Sequence, residues 1–449
     1  MRPRPLLWLS MTLFAAAFSW LSAMRHRSFE TGRFDLGNMV QAVWTTAHGH
    51  PLRMTSLEGD QMSRLGAHFD PILVVFAPLW RLWPSAGMLT TVQAAAIALG
   101  ALPVFLLARR HLGSERAALG FAVAYLLYPP VEWLARDEFH PVALACPLLL
   151  FAVLYLDDDR LAPFAACAAA AVLTKEEVGL VVAGLGAWYA LSRGRYRTGG
   201  AIMAAGGGAA ALAVLVVVPH FNSGHGSTFY GRYDAIGPTT AWHPVYLLSL
   251  LLPLAGLSLL APLLALAALP ELALNLLSSA PTQSSIHFHY TAAEIPVLVA
   301  AAVLGARRLG RSGTVALSLV ATTLAANYLL GPIPQWRYLP GGATLQADTY
   351  RVSRRDRVSQ RAVDLVPDGV VVSADNSLGA HLSARRRVLS FPYVLDATWV
   401  AVDVRKAGYA DRIAPQATAF GVAALRHNPA WKVVFDEDGI VVLRRVLPA

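Results

Sequence analysis

Long apolar runs separated by short polar connections make up most of the chain. Pro5 to Met24 and Leu82 to Ala108 contain no charged residue, and runs of about 18 or more apolar residues are typical of helices that cross a bilayer. The pattern predicts an α-helical polytopic membrane domain over residues 1–335 with about 11 transmembrane helices. Their approximate centres are Leu13, Ala95, Ala124, Leu149, Ala168, Leu185, Ala210, Leu250, Leu266, Leu298 and Val320.

Two neighbouring apolar runs are too short to cross the membrane upright. Leu161 to Thr174 and Val178 to Ser192 are both shorter than the ~20 residues that a hydrocarbon core ~30 Å thick requires. The polar residues Lys175-Glu176-Glu177 stand between them. We therefore expect broken or re-entrant helices here, or a wet cavity that receives these charges.

The pattern changes at about Arg351, where Asp and Arg become frequent and short β-rich runs alternate with helical stretches. Trp431 to Val446 predicts a β-hairpin, with Asp438-Gly439 as its turn. This alternation predicts a small C-terminal α/β domain over residues 350–449. The predicted strands are Gly369 to Val372, Arg387 to Phe391, Trp399 to Val402 and Trp431 to Phe435.

Composition supports the membrane interpretation. Only 14% of the 449 residues are charged and 55% are hydrophobic, whereas about a quarter of the residues in a soluble domain are charged. The net charge is +9, which in a soluble protein would raise the question of nucleic acid. Here the arginines flank apolar runs, so we expect membrane lipids as partners and no nucleic acid.

The positions of these arginines predict the topology. The positive-inside rule places them on the cytoplasmic face, with the N-terminus inside and the C-terminal domain extracytoplasmic. The first run resembles a secretory signal, but its length and the many runs after it favour an uncleaved signal-anchor. The expected location is the cell membrane, with multiple crossings. The arginines are Arg2, Arg4, Arg109, Arg110, Arg116, Arg193, Arg195, Arg197, Arg307, Arg308 and Arg311.

Polar residues that could carry chemistry gather in the predicted outer loops. Asp35 follows the first run and precedes a stretch, Asn38 to Ala47, that can form an amphipathic helix along the membrane surface. A carboxylate there can accept a proton from a substrate hydroxyl. The alternative is that Asp35 caps this helix, a frequent role for Asp before an apolar periodic stretch.

A histidine and a carboxylate stand two residues apart farther along this loop. His68 and Asp70 can share a proton, bind a divalent cation or orient a sugar hydroxyl. Asp70 precedes Pro71, so the same residues also suit the start of a helix. Cys146 and Cys167 both lie within apolar runs, which predicts neither a disulfide framework nor a thiolate metal site.

Three further cations are candidates for an anionic group. Arg136 and His140 lie in the connection after the third predicted helix, and Lys175 lies between the two short runs. Charges at membrane depth tend to be paired or to line a polar cavity. In such a cavity, all three side chains can bind a phosphate. The alternative for Lys175 is a local ion pair with Glu176 or Glu177 at a helix end.

His287, His289 and Tyr290 stand in the last membrane-proximal outer loop. Histidines two residues apart face the same way on a strand, which permits metal binding. Aromatic and His residues are also typical of the membrane interface, so interfacial anchoring is the alternative. The sequence contains no P-loop, Rossmann glycine motif, HExxH motif or nucleophile elbow in a suitable context.

Five of these segments, taken together and in order, resemble one known family. It is an uncharacterised family of bacterial and archaeal polytopic membrane proteins, described as a domain of unknown function and grouped with the C-type glycosyltransferases. The resemblance spans nearly the whole chain, although family members often have a carboxylate where this chain has Val142. The segments are Phe34 to Pro51, Gly66 to Trp80, Glu138 to Leu144, Leu173 to Gly186 and Asn275 to Tyr290.

The resemblance implies a C-type glycosyltransferase architecture and a membrane enzyme. Such an enzyme transfers a sugar from a polyprenyl-phosphate donor, on the extracytoplasmic face, to an envelope glycan, lipid or protein. Asp35 matches the essential acidic residue of the first outer loop, which implies a general base in an inverting transfer. The implied substrate-binding residues are His68, Asp70, Arg136, His140, Lys175, Glu176, His289 and Tyr290.

No cofactor is required by the sequence, and His68 with Asp70 could hold either the acceptor or a divalent cation. Two other classes of function stay open. A transporter or flippase for a lipid-linked sugar would use the same polar cavity, but it predicts repeat symmetry, and we find no convincing internal repeat. A non-catalytic envelope protein whose C-terminal domain binds partners would tolerate Asp35→Asn. The gathering of ionisable groups on one face favours the enzyme.

Overall fold

The computed structural model describes residues 3–223, 225–234, 244–341, 350–406, 408, 410–412 and 414–446, most of which are helical. The α-helices are α1 Pro3–Arg27, α2 Asn38–Ala47, α3 Ala77–Leu82, α4 Ala86–Leu99, α5 Ala101–Leu112, α6 Glu115–Leu127, α7 Pro129–Arg136, α8 Ala145–Asp157, α9 Leu161–Val172, α10 Val178–Arg193, α11 Tyr196–Leu212, α12 Val218–Phe221, α13 Pro244–Leu251, α14 Pro262–Ala265, α15 Leu269–Leu277, α16 Glu294–Arg307, α17 Ser312–Leu330, α18 Arg354–Asp364, α19 Asn376–His381 and α20 Ala417–His427. The strands are β1 Arg53–Thr55, β2 Gln61–Ser63, β3 Val372–Ala374, β4 Val388–Ser390, β5 Trp399–Asp403, β6 Trp431–Glu437 and β7 Ile440–Arg445.

Each predicted helix centre lies within a helical segment, so the mainly helical architecture is confirmed. Among the described residues, four helices are long and apolar enough to cross a membrane: Pro3–Arg27, Ala86–Leu112, Tyr196–Phe221 and Ser312–Leu330. The pair α6 and α7, bent by 49° at Tyr128, gives a fifth if it is counted as one crossing. The other apolar helices are shorter, so the number of about 11 crossings stays a prediction.

The two short runs form separate helices, as their lengths predict. α9 has 12 residues and α10 has 16, and the chain breaks between them at Lys175-Glu176-Glu177. α10 packs directly on α11 because glycines remove side chains from the interface. A Cβ atom added to Gly206 would lie 2.5 Å from the carbonyl oxygen of Gly179, whereas Gly207 and Gly208 face open space.

The chain divides into two compact units that interleave along the sequence. The helical unit contains Met1–Trp20, Leu65–Ile72 and Thr91–Gln346, and the sheet unit contains Leu21–Arg64, Leu73–Thr90 and Ala347–Ala449. The sheet unit therefore includes most of the predicted first outer loop as well as the C-terminal region. The simpler division of the sequence at residues 1–335 and 350–449 stays a prediction.

The sheet unit contains a five-stranded sheet in the order β4-β3-β5-β7-β6. β3 is parallel to β4 and β5, and β7 is antiparallel to β5 and β6. The predicted hairpin is confirmed: Asp438 and Gly439 have φ angles of 52° and 82°, the positive values that a tight hairpin turn requires. One core cluster of the unit contains Val358 of α18 and Phe29, and another contains Val422 of α20.

Ion pairs bring three of the four arginine-rich segments of the helical unit together. Arg4 and Arg109 both pair with Glu115, at 2.8 and 3.6 Å. Arg110 and Arg193 both pair with Asp157, at 3.2 and 2.9 Å. These contacts gather the basic residues at one end of the unit, which is the arrangement that the positive-inside rule assumes. The orientation of the termini stays a prediction.

Candidate active site

Ionisable side chains from several connections of the helical unit converge on one region. Most of them are buried or nearly so, and they are linked by hydrogen bonds, ion pairs and ring contacts or, for Glu271, by charge interaction with Glu177 and Lys175. Charges removed from water in this way must be paired, and such clusters are typical of functional sites. The members are His68, Asp137, His140, Lys175, Glu176, Glu177, Arg232, Glu271, His289, Tyr290 and Glu294.

His68 pairs with a carboxylate that is 108 residues away in sequence. Its Nδ1 lies 2.9 Å from Oε1 of Glu176, and the backbone N–H of Phe69 donates to Oε2 of the same residue at 2.9 Å. Burial raises the pKa of Glu176, but His68 and Lys175 outweigh it and lower the pKa to about 2. Glu176 is thus an anion at neutral pH. The predicted partner, Asp70, is buried nearby in sequence, but His68 turns to Glu176.

Lys175 forms the local ion pair that was the alternative to phosphate binding. Its Nζ lies 2.5 Å from Oε1 of Glu177 and 5.2 Å from the centre of the Tyr290 ring. The lysine is only 14% exposed, so this pair is buried rather than solvated at a helix end. Burial lowers the pKa of Lys175, but Glu177, Glu176 and Glu271 outweigh it and raise the pKa. The ammonium group of Lys175 therefore stays protonated, beside several carboxylates.

Arg232 was missed by the sequence reading. Its Nη1 donates to the hydroxyl of Tyr290 at 3.0 Å, and its guanidinium lies 4.9 Å from the centre of the Phe229 ring. Phe229 in turn stacks on His68 at 4.6 Å. Arg232 makes no ion pair with any described carboxylate. No local signal distinguishes it from other loop arginines.

Asp137, His140 and His289 bring three potential ligand atoms within 4.8 Å of one another. Oδ2 of Asp137 lies 3.4 Å from Nδ1 of His289 and 3.8 Å from Nδ1 of His140. Burial, with a smaller contribution from His140, lowers the pKa of His289 to about 3, so this imidazole is neutral at physiological pH. Asp137 was also missed, although its three-residue spacing from His140 was a signal.

The three side chains of this cluster are of the types that bind a divalent cation. However, the two imidazole rings are not oriented so that their nitrogen lone pairs point at one common position. Neutral imidazoles and a carboxylate are common zinc ligands. The two imidazole rings are stacked, with centres 3.6 Å apart and planes 17° apart. Since ring lone pairs lie in the ring plane, those of stacked rings run side by side. Asp137, His140 and His289 could hold a cation only after the rings splay.

The other two sequence candidates of this region lie beside the cluster. The guanidinium of Arg136 lies 5.0 Å from the ring centre of Trp133. The ring of His287 packs edge-to-face with the same tryptophan, with ring centres 4.5 Å apart. The strand that would let His287 and His289 share one face is not formed, because His289 begins a 3-10 helix, His289–Thr291. The two histidines therefore have different neighbours.

A buried hydrogen-bond network supports the segment that carries Tyr290. Nδ2 of Asn275 donates to the carbonyl of Tyr290 and to Oε1 of Glu294, both at 3.0 Å. The hydroxyl of Tyr246 donates to Oε2 of Glu294 at 2.7 Å. Buried polar groups linked in this way hold one arrangement because any other leaves them unpaired. Acidic residues inside apolar helices were the available signal.

An apolar groove of about 580 Å³ lies between α9, α10 and α11. Its lining includes Phe69, Phe164, Leu173 and Ala205, and it has almost no polar surface. The backbone N–H of Phe69 donates to Glu176 at 2.9 Å, so the lining of the groove adjoins the charged cluster. The combination suits an amphiphile with an apolar tail and a polar head.

Asp35 lies in the sheet unit, in a short π-helical turn, Arg33–Gly37, directly before α2. Its side chain is exposed. The capping alternative is wrong, because the N-cap residue of α2 is Gly37, which has no side chain. α2 has the predicted bounds, Asn38–Ala47, but eight of its ten residues are buried. It is a packed helix of the sheet unit rather than one with a face in lipid.

Side chains from the C-terminal part of the sheet unit fix this turn. Arg33 is 1% exposed, and its Nη2 donates to the carbonyls of Val388 and Thr55 at 2.8 and 3.0 Å. The backbone N–H of Phe34 donates to Oδ1 of Asn376 at 3.3 Å. The position of Asp35 thus depends on β1, β4 and α19.

Almost the entire chain matches the fold of two solved structures of one protein. The crystal structure of ArnT from Cupriavidus metallidurans bound to undecaprenyl phosphate matches with a TM-score of 0.55 and 14% identity, and 98% of each chain is covered. The apo structure of the same protein matches with a TM-score of 0.57 and 15% identity, again over 98% of each chain. No curated protein matches the sequence significantly. This likeness, at 14 and 15% identity, confirms a shared fold, whereas the implied relationship to the C-type glycosyltransferase superfamily stays a prediction.

The family resemblance is confirmed as well. The model of a family described as "Predicted membrane protein (DUF2079)" matches residues 25–442. This range includes every candidate residue of both units. The chain therefore belongs to the DUF2079 family of predicted membrane proteins.

Proposed function

We propose that this protein is a membrane glycosyltransferase that takes a sugar from a polyprenyl-phosphate-linked donor and transfers it to an envelope acceptor on the extracytoplasmic face. The main support is one juxtaposition within the helical unit. An apolar groove of about 580 Å³ is lined in part by Phe69, whose backbone N–H donates to Glu176 in the buried cluster of cations and carboxylates. A polyprenyl phosphate has the same two parts, and the ArnT of the same fold has been crystallised with undecaprenyl phosphate.

The cations of the cluster would bind the phosphate of the donor. Arg232 suits this role best because its planar fork binds phosphate oxygens in pairs and its charge is not neutralised by a described carboxylate. Lys175 and Arg136 would add positive charge. His140, Glu176, His289 and Tyr290 would complete the walls, while His68 and Asp70 would hold the acceptor or a cation.

Asp35 would act as the general base of an inverting transfer. It would remove the proton of an acceptor hydroxyl while that oxygen forms a bond to the anomeric carbon of the sugar. The bond between this carbon and the phosphate oxygen breaks, and polyprenyl phosphate leaves with both electrons. Positive charge develops on the sugar and negative charge on the phosphate, which the cations would stabilise. The exposure of Asp35 supports access of an acceptor.

The proposed topology follows from the distribution of charge. About 11 crossings would place the N-terminus inside and the C-terminal region outside. The meeting of Arg4, Arg109, Arg110 and Arg193 through Glu115 and Asp157 supports a common face for three basic segments. The candidate connections would then lie on the opposite face.

The first test compares cells that lack the protein with cells restored by wild type or Asp35→Asn. Mass spectrometry of lipid-linked sugars and envelope glycans is the measurement. We expect a polyprenyl-phosphate sugar to accumulate and one glycan to lose a residue, with only wild type reversing both. Equal restoration by Asp35→Asn would contradict the role of Asp35 and favour transport or a structural role.

A second test addresses the groove. Tryptophan at Ala169 or Ala205, which both line the groove, should block the donor tail and raise the KM for the donor about tenfold or more, since bulky side chains exclude a ligand that the space otherwise admits. Leu317→Trp on the exposed side of α17 is the matched control. Donor kinetics in nanodiscs measure the effect, and unchanged KM values in both groove variants would contradict the assignment.

A further inference from the structure

The sheet unit contains a small polar pocket whose lining includes none of the candidate site residues described above. It has a volume of about 300 Å³ and is lined by Thr45, His50, Arg53, Gln61 and Arg386. The residues come from the C-terminal end of α2, from β1 and β2, and from the segment before β4. Small-ligand pockets begin at about this volume.

Arg386 is the middle residue of three consecutive arginines, and the side chains of the other two make hydrogen bonds within the sheet unit. Arg385 is buried and donates to the carbonyls of Leu382, Pro367 and Val370. Arg387 donates to the carbonyl of Gly59 and pairs with Asp396 at 2.7 Å. The side chain of Arg386 has no such acceptor among the described residues and lines the pocket instead.

Arg53, which also lines the pocket, is in the same situation. Neither Arg53 nor Arg386 pairs with a carboxylate in the part of the chain that the structure describes, and no acidic residue lines the pocket. Two guanidinium groups that face one pocket repel each other unless an anion neutralises them. The alternative is that both are solvated arginines of the protein surface.

The backbone around the pocket is well fixed. Thr45 donates to the carbonyl of Arg53 at 2.8 Å, which ties α2 to β1. Gln41 donates to the carbonyl of Arg386 at 3.1 Å, which ties α2 to the segment before β4. Nε2 of Gln61 donates to Oγ1 of Thr55 at 2.8 Å. The two arginines therefore extend from walls that α2 holds together.

We propose that this pocket binds a phosphoryl or pyrophosphoryl group. The guanidinium forks of Arg53 and Arg386 match phosphate oxygens in pairs, and Gln61 and His50 supply further polar atoms. The pocket lies at the far end of α2 from Asp35, about 15 Å along a ten-residue helix. It is thus a second anion site, independent of the transferase proposal.

The test is equilibrium binding of inorganic pyrophosphate and orthophosphate to the full chain in phosphatidylcholine nanodiscs. Ionic strength is matched with sodium chloride because salt screens such contacts. Arg53→Gln and Arg386→Gln should each raise the dissociation constant about 10- to 100-fold. Arg426→Gln is the matched control, since this exposed arginine of α20 in the sheet unit pairs with Asp436 of β6 at 2.7 Å. Thermal melting verifies that each variant is folded.

A second arm separates the two sources of a phosphate group. If nanodiscs with phosphatidylglycerol compete with pyrophosphate in wild type and not in Arg386→Gln, the pocket takes a lipid headgroup. If pyrophosphate binds equally in both kinds of nanodisc, the pocket takes a soluble phosphorylated group. The proposal fails if wild type binds neither phosphate probe, or if Arg53→Gln and Arg386→Gln bind as well as Arg426→Gln.

Discussion

Arg33 is a buried cation whose hydrogen bonds go to backbone carbonyls rather than to a carboxylate. It donates to Thr55 on one side and to Val388 on the other, two residues from Asp35. Burial lowers the pKa of Arg33 to about 10, so the guanidinium stays charged at neutral pH. Nη2 reaches both carbonyls, and Nε also reaches the carbonyl of Val388, a set of bonds that suits the planar fork of a guanidinium better than the single nitrogen of a lysine. We therefore expect Arg33 to act by positioning Asp35.

Arg33→Lys should lower kcat about tenfold or more while the KM for the donor changes little, since a displaced base weakens the transition state rather than donor binding. Leaving a buried carbonyl unpaired should also cost roughly 1–3 kcal/mol of stability. The measurement is donor kinetics together with thermal melting. Arg361→Lys, at an exposed ion pair of the same unit, is the control.

A positioning role makes a further demand on this variant. In the Asp35→Asn background, Arg33→Lys should reduce turnover no further, because the group that it positions is already gone. Independent losses that simply add would mean that Arg33 acts through general stability instead.

The pair of Glu176 with His68 predicts a pH dependence of stability. The folded pKa of Glu176, about 2, lies below its ordinary value of 4.5, so the carboxylate stabilises the fold above about pH 4.5, and this contribution is lost as the pH falls toward 2. Glu176→Gln should cost on the order of 2–3 kcal/mol at pH 7 and should flatten this acid dependence. Melting between pH 3 and 7, with the exposed Glu437→Gln as control, tests both effects. A variant that keeps the full acid dependence would exclude Glu176 as its origin.

At the scale of the element, the sequence predicts local structure well. The Asp438-Gly439 turn follows from residues that tolerate positive φ between alternating strands, and α2 begins and ends where its apolar period does. The break at Lys175 also follows from local charge. In each case neighbouring residues contain the information.

What the sequence could not predict depends on contacts between distant segments. Asp137 belongs to the cluster because it contacts His289, 152 residues away. Arg232 belongs to it because it donates to Tyr290, 58 residues away. His68 was assigned to Asp70 because that residue is near in sequence, yet its partner Glu176 comes from another connection. Without an observed contact, a loop arginine or aspartate has no local feature that marks it.

The packing of α10 on α11 gives a test with its control in the same helix. Gly206→Ala places a methyl group against the backbone of α10, about 2.5 Å from the oxygen of Gly179, and overpacking of this kind costs about 1–3 kcal/mol. Gly207→Ala and Gly208→Ala meet open space and should gain up to about 1 kcal/mol from helix propensity. Thermal melting in one detergent measures all three. Equal melting temperatures would mean that the two helices are not packed this closely.

At the scale of the whole molecule, the two compact units do not follow the order of the sequence. Phe29 lies in the same core cluster as Val358 and Leu378, so the predicted first outer loop and the C-terminal region share one hydrophobic core. A core built from both segments loses cohesion when either is removed. We therefore expect the C-terminal region to act as a scaffold for the turn that carries Asp35.

A chain that ends at Gly341 tests this difference. Its helical unit keeps the groove of α9, α10 and α11, so we expect it to bind a polyprenyl phosphate with nearly unchanged affinity. Without Val388, Asn376 and the sheet, the buried Arg33 and Phe29 are uncovered, so residues 21–64 should become sensitive to protease and transfer should fall at least a hundredfold, as expected when a catalytic group loses its position. If the shortened chain instead keeps its kcat and only the KM for the acceptor rises, the C-terminal region binds the acceptor and Asp35 is held by its own loop.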